Sequence, residues 1–558
     1  TWLAALAAML VPLRSSGSSL RRAGVVRTIP RPIRRWRQRV FSEICRESAS
    51  TSPEISSADM SGVLEGLEPK ELWGRFGELS AIPRPSKEEQ KVLAWLKTIA
   101  EENKLQWEQD SVGNMVIRRP GSAGGENAAP VVIQGHVDMV TEKNNDVAHD
   151  FSKDPITLLR EGDWITAKGT TLGADNGIGV AAALALLTMP TTTKLPPLEC
   201  LFTVDEETGL TGAKQLKGTM LKGKTMLNLD TEDWGSVYMG CSGGGDSTIS
   251  LPLTTAKTAS LKPGEYEWYE VTCKGLKGGH SGMDIATGRG NSIRLLARSL
   301  ETVRRAHQAK LSLIKGGNKR NAIARECTAK IALPVSSKAK SLALLTKSFE
   351  AYQQEYKTAE PSLSFSCEPL PKEGYPEAFL GESSADALLC LLTSLPHGVM
   401  RMSTDKEGLV ETSSNMATVD LDLMQDSKSP HAEIVCTTRS SLSHALEDVR
   451  GAIASLCKVC GAQVEQPESY PGWHPNPDSK ILQLTKECYK ELTGKEAEEV
   501  AIHAGLECGI INERCNGVDT VSFGPTIRGA HSPDERVQIS TVKPFYDLVL
   551  RILARLAG

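Results

Sequence analysis

The chain is poor in the apolar runs that membranes demand: the stretch Trp2 to Leu13 falls well short of the roughly 20 residues a spanning helix needs. It is also poor in net charge. Its 64 basic residues stand against 68 acidic ones, leaving −4, and no basic patch marks the body of the chain, so nothing favours nucleic acid as a partner. A disulfide framework is missing too, because the 13 cysteines are scattered and odd in number, which fits free thiols in a reducing compartment. Cys457-Lys458-Val459-Cys460 has neither a second pair nor clustered histidines beside it. That favours small residues on a buried helix face over a zinc knot or a redox pair. Acidic residues are absent from Thr1 to Ser42, where nine arginines, from Arg14 to Arg39, lie among several serines. This is the composition of a transit peptide, mitochondrial or plastid, and Trp2 to Leu13 would suit the apolar part of a signal before it. Thr1 in place of Met leaves the true start open, and Met60 offers the start of a shorter cytoplasmic form.

The 558 residues exceed what one hydrophobic core supports, so about two to four domains are expected. A polar, Ser-rich stretch from Ser48 to Ser61 reads as a linker, which makes residues 1–59 an extension. From Lys87 to Glu102 the spacing predicts a helix, followed by a strand at Asn114–Arg118; strand and helix then alternate to Asp230. That alternation is the βαβ rhythm of a mostly parallel α/β sheet with helices on both faces. Beyond Cys241-Ser242-Gly243-Gly244-Gly245 the texture changes to longer alternating strands and long helices, and near Pro471 the first texture returns. The expected plan is a catalytic α/β domain over residues 60–245 and 469–558, interrupted by an inserted α+β domain over 246–468.

Five candidate metal ligands lie at or just past the ends of short apolar runs. His136 follows Val131 to Gly135, Glu207 follows Leu201 to Val204, Asp230 follows Met226 to Leu229, and His531 comes after Val521-Ser522-Phe523 and a short loop. Asp175 sits in the turn Gly173-Ala174-Asp175-Asn176-Gly177, which opens a helical run from Ile178 to Met189. Open α/β sheets bind ligands outside the carboxyl ends of their strands. Asp138, two residues past His136, falls on the same side of the pleat, where it can bond the imidazole and fix which nitrogen meets a metal. Three successive carboxylates, Asp205-Glu206-Glu207, repel one another unless a cation or protons compensate. Two divalent ions, three ligand carboxylates, two neutral imidazoles and a bridging hydroxide come close to neutrality. Such mixed ligation suits two Zn²⁺ per chain, with Mn²⁺ or Co²⁺ as substitutes. Glu206 remains as the general base beside the ligands. Each motif alone has a plain reading: a structural histidine at a strand end, a solvated acidic turn, a helix-start aspartate favoured by the dipole.

Gly135-His136-Val137-Asp138, Gly173-Ala174-Asp175-Asn176-Gly177, Asp205-Glu206-Glu207-Thr208-Gly209, Asn228-Leu229-Asp230 and Gly278-Gly279-His280-Ser281-Gly282 occur in this order. From about Leu67 to the C-terminus the chain resembles the aminoacyl-histidine dipeptidases, also called Xaa-His or cytosol non-specific dipeptidases, of the di-zinc aminoacylase and carboxypeptidase superfamily. The resemblance implies that His136 and Glu207 serve opposite metals, that Asp175 bridges them, and that Asp230 and His531 complete the set. It implies that the insertion is a lid closing over a dipeptide, with the protein a monomer or a homodimer through that lid. His280 would help hold the oxyanion, Asn321 and Arg439 would grip the free carboxylate, and His503, in His503-Ala504-Gly505-Leu506-Glu507, would shape the leaving-residue pocket. Preference for a C-terminal histidine rests on the resemblance alone. The competing expectations are an N-acyl-amino-acid deacylase or carboxypeptidase on the same scaffold, and a non-catalytic peptide-binding protein.

Overall fold

The computed structural model describes residues 62–423 and 430–558; the N-terminal extension with its arginines and serines lies outside them. One sheet has eight strands, in the order Gln106–Gln109, Met115–Arg119, Leu198–Thr203, Val131–His136, Thr225–Asn228, Asp519–Ser522, Ser236–Cys241 and Glu498–Ile502. Leu198–Thr203, Val131–His136, Thr225–Asn228 and Asp519–Ser522 run parallel, while the pairs at the Met115–Arg119 side are antiparallel. All six residues of Val131–His136 are buried. A strand covered on both faces has no reason to alternate, which is why the sequence shows an apolar run there.

Side-chain alternation divides that run between two cores. Val131 and Ile133 pack with Phe76, Leu96, Leu184, Leu482 and Phe545 of the helices Lys70–Ser80, Gln90–Glu102, Ala174–Leu187, Lys480–Thr493 and Ile539–Leu556. Val132, with Val116 and Met226, faces Ala213 and Ile511 of Thr211–Gln215 and Glu507–Arg514 on the other side. The helix expected from Lys87 begins at Gln90 instead. Lys87 has φ 73°, which a helix cannot accommodate, and its N–H bonds the Glu89 carboxylate at 2.7 Å. The same Glu89 oxygen accepts from the Asp205 N–H at 3.0 Å, so the helix start is set by a contact distant in sequence.

Residues 243–465 contribute a second, antiparallel sheet. It includes Tyr266–Lys274, Cys327–Pro334, Lys310–Gly316, Val410–Asp422, His431–Ser440 and Gly243–Pro252 as successive neighbours. The helices Ser292–His307, Lys338–Glu355, Glu382–Ser394 and Ser443–Cys460 pack on it through a separate core containing Ile293, Leu300, Leu345, Leu388, Ile434 and Ile453. Asn291 caps the first of these helices, its side chain accepting from the Arg294 N–H at 3.2 Å. Cys457 is buried in this core. A small third sheet joins Ile527–Arg528 and Arg536–Gln538 to Trp164–Ala167 and Leu158–Glu161. It pins the loop that carries His531 beside the segment leading to Asp175.

Candidate metal centre

Three strands of the parallel group deliver candidate ligands at their carboxyl ends. His136 ends Val131–His136, Asp230 follows Thr225–Asn228, and the acidic triplet follows Leu198–Thr203. The three acids of that triplet separate by role. Asp205 has φ 51° and turns its carboxylate onto the hydroxyls of Thr208 and Thr211, which leaves Glu206 and Glu207 for the cleft. Asp175 stands at the distorted first turn of Ala174–Leu187, where it and Asn176 keep non-helical dihedrals.

The five predicted ligands come together as two clusters sharing Asp175. His136 Nε2 lies 3.2 Å from Asp175 Oδ1 and 3.2 Å from Asp230 Oδ1. His531 Nε2 lies 3.3 Å from Asp175 Oδ2 and 3.0 Å from Glu207 Oε2. The two oxygens of Asp175 thus face different clusters. Asp138 is buried behind His136, its Oδ1 3.4 Å from Nδ1, and it accepts the N–H groups of Glu206 and Glu207 at 3.1 and 3.2 Å. It also accepts from the Ser86 hydroxyl at 2.8 Å, so one carboxylate orients the imidazole and the acidic turn together.

The electrostatics call for cations. Hydrogen bonds to Asp175 and Glu207 raise His531 to about 11. Burial opposes protonation of His136, yet Asp230, Asp138 and Asp175 hold its pKa well above the usual value. Burial, with His136 only partly offsetting it, lifts Asp230 to about 7, and burial together with Glu207 and Asp230 lifts Glu206 well above the carboxylate range. Glu207 Oε1 and Asp230 Oδ1 are buried without a hydrogen-bond donor. Acceptor-only oxygens and imidazole nitrogens gathered at these spacings fit divalent ions with mixed nitrogen and oxygen ligation, zinc among them.

The centre opens into a cleft of about 840 Å³, which Glu206, His280, Asn321 and Arg439 also line. His280 Nδ1 accepts the N–H groups of Gly282 and Met283 at 3.2 and 3.1 Å, so the proton of the neutral ring resides on Nε2. Burial and the neighbouring Arg439 push its pKa down to about 4, which keeps it neutral. Arg439 is buried; its Nε donates to Ser281 Oγ at 3.2 Å, and its Nη2 stands 3.5 Å from His280 Nε2. His503 is placed behind the cleft. Its Nε2 meets Ser413 Oγ at 2.7 Å, and Ile502, Ala504, Gly505 and Leu506 line the cavity around it instead. Glu507 opens the helix Glu507–Arg514 beneath the centre, bonded to Gln134 and Thr203 at 2.6 Å each.

Two supporting residues escaped the sequence reading. The buried Arg84 guanidinium donates to the carbonyls of Val137, Asp138 and Gly173, at 2.9, 2.9 and 2.5 Å. Glu535 receives the N–H groups of Leu172, Gly173, Ala174 and Asp175 at 2.8, 3.0, 2.8 and 3.3 Å. The nearness of Glu535 to His531 in sequence was the one available signal for it, and Arg84, in Pro83-Arg84-Pro85, offered none.

An α/β sheet with a metal centre at its carboxyl edge and an acid poised over it defines a metal-dependent hydrolase. The profile of Peptidase family M20/M25/M40 matches residues 132–555, and the chain belongs to that family. It is 40% identical over 490 residues to the cytosol non-specific dipeptidase of Escherichia coli K12, covering 88% of this chain and 98% of that one. The crystal structure of aminoacylhistidine dipeptidase from Vibrio alginolyticus superposes with a TM-score of 0.78 at 39% identity, over 88% of this chain and 97% of the other. A Bacillus cereus aminopeptidase shares the fold, with a TM-score of 0.55 at 15% identity over 88% and 100% of the two chains.

Proposed function

We propose that this protein hydrolyses dipeptides, Xaa-His and others, with two Zn²⁺ ions per chain. One would be held by His136, Asp175 and Asp230, the other by Glu207, Asp175 and His531. When bound, such ions lower the pKa of a water and polarise the scissile carbonyl. Glu206 takes the proton of the attacking water and passes it to the leaving amine; its place at the cleft beside the ligands suits both transfers. Asp138 keeps the His136 ring oriented.

The observation that carries the substrate assignment is the approach of two donors, His280 Nε2–H and Arg439 Nη2, to 3.5 Å. Neither can accept a bond from the other, so both are left to donate to acceptors in the cleft beside them, and the anionic oxygens of a bound peptide supply these. His280 serves the oxyanion that develops in the transition state, and Arg439, with Asn321, grips the free carboxylate. Only short peptides place both groups correctly. Residues 246–468 act as the lid that brings His280 and Arg439 over the metals, and the arginine-rich extension directs the protein to an organelle.

Metal content and amine release from β-alanyl-His, Gly-His, Leu-Gly, a tripeptide and an N-acetyl amino acid test this reading. Two zinc ions per chain, cleavage of dipeptides alone, and loss of at least about 100-fold in kcat on Glu206→Gln with metal retained are expected. Preference for the acetyl substrate would replace the dipeptidase with a deacylase. Metal binding without any cleavage would leave a peptide-binding protein.

A further inference from the structure

Arg439 and Asp246 stand on neighbouring strands, and the pairing register fixes how they face. Arg439 lies opposite Gly244, and Thr437 lies opposite Asp246. Alternate residues of a strand share a face, so Arg439, Thr437, Gly244 and Asp246 form one patch, and all four line the cleft of the metal centre. Arg439 and Asp246 are diagonal neighbours, a spacing of about 7–8 Å or somewhat less. The Thr437 hydroxyl donates to Asp246 Oδ1 at 2.8 Å, and Arg320 Nη1 donates to Oδ2 at 3.0 Å. Arg320 is itself 75% exposed at the rim, and each carboxylate oxygen keeps a further site for a donor. Between the two charged residues Tyr470 packs directly over Gly244: a Cβ there would come within 2.6 Å of the Tyr470 hydroxyl, so the tyrosine itself forms this part of the wall. The result is a stretch of cleft wall formed by Tyr470, with a cationic fork on one side and an anionic acceptor on the other.

We infer that Asp246 reads the side chain of the residue whose carboxylate Arg439 holds, accepting the N–H of an imidazole. The inference rests on the dipeptidase reading above and assigns its leaving-residue specificity. A C-terminal histidine carries its ring one methylene from the carbon that bears the carboxylate. Its short arm lets the ring turn towards Asp246 while Arg439 holds the carboxylate, and its flat face suits the wall that Tyr470 forms. A lysine ammonium sits on a flexible four-carbon stem and loses more freedom for the same bond. An aliphatic side chain offers Asp246 no donor at all.

The test compares kcat/KM for Gly-His and Gly-Ala in the parent enzyme, Asp246→Asn and Asp246→Ala, each at full metal loading and with its melting temperature recorded. Asparagine retains an acceptor for Thr437 and guards against a folding defect. The expected result is a fall of about 10- to 100-fold in the His-over-Ala ratio in both variants, because a hydrogen bond to a charged acceptor is lost for one substrate alone. Inhibition by free L-histidine should weaken in parallel, and inhibition by L-alanine should not. An unchanged ratio, or an equal loss for both substrates, overturns the role of Asp246 while leaving the dipeptidase reading intact. A parent enzyme that cleaves neither dipeptide overturns both.

Discussion

Replacing Glu535 by glutamine tests whether the metal centre depends on a carboxylate that touches no substrate. Glu535 is 2% exposed, and its two oxygens each take a pair of backbone donors: Oε2 those of Leu172 and Gly173, Oε1 those of Ala174 and Asp175. These four N–H groups begin the turn that presents Asp175 to both histidines. Glutamine keeps one acceptor and sets an NH₂ group against the other pair. Two charge-assisted bonds at about 1.5–3 kcal/mol each are lost, about 3–6 kcal/mol before the relief of no longer burying a charge is subtracted. Because donor then faces donor, the turn must shift, and Asp175 shifts with it. Loss of support of this kind weakens metal affinity by about 10- to 100-fold. Zinc titration with a competing chelator, paired with thermal unfolding of loaded and chelated protein, reads both effects. Glu535→Ala, which leaves four donors unmet, should be the less stable of the two. A glutamine variant that binds zinc within twofold of the parent and melts with it would refute the reasoning.

Chelation should abolish turnover and lower the melting temperature, with zinc restoring both, since the acceptors of Glu207 and Asp230 then lose their cations. Gly179→Ala would bring a Cβ within 2.5 Å of Asn176 Oδ1 and 2.7 Å of the Leu229 carbonyl; it should destabilise by about 1–3 kcal/mol and reduce metal content, which unfolding curves and metal analysis will show. Burial, with Arg439 and His280 nearby, pushes His503 down to about 3. The folded protein therefore resists a proton that the unfolded chain binds near pH 6.5, so stability falls as pH drops from about 6.5 towards 3, by about 2 kcal/mol at pH 5 for this residue. His503→Gln should lose less thermal stability than the parent between pH 7 and 5, and parallel pH profiles would contradict that assignment.

The candidate ligand set was legible as a pattern because its logic is local. Four of the five candidate ligands follow a short apolar run, and a parallel sheet that buries both faces of its strands needs such runs and carries its chemistry at their ends. Texture also announced where the strand pattern changes, since the antiparallel strands after Gly243 pack helices on one face and so alternate as Val131–His136 does not. What the sequence concealed is the support, because support is long-range. The bonds from residues 172–175 to Glu535 join positions 360 to 363 apart, and nothing in Pro533-Asp534-Glu535 distinguishes a buried four-bond acceptor from a surface acid. His503 was concealed for a related reason: its segment reaches the cleft, but a strand-end histidine does not reveal whether its ring turns towards the cavity or back onto Ser413. The separation follows from what each residue must do. A ligand needs only a chemical type at a strand end, which sequence displays, whereas holding Asp175 between two histidines requires partners from both ends of the chain, and their meeting is decided by the fold.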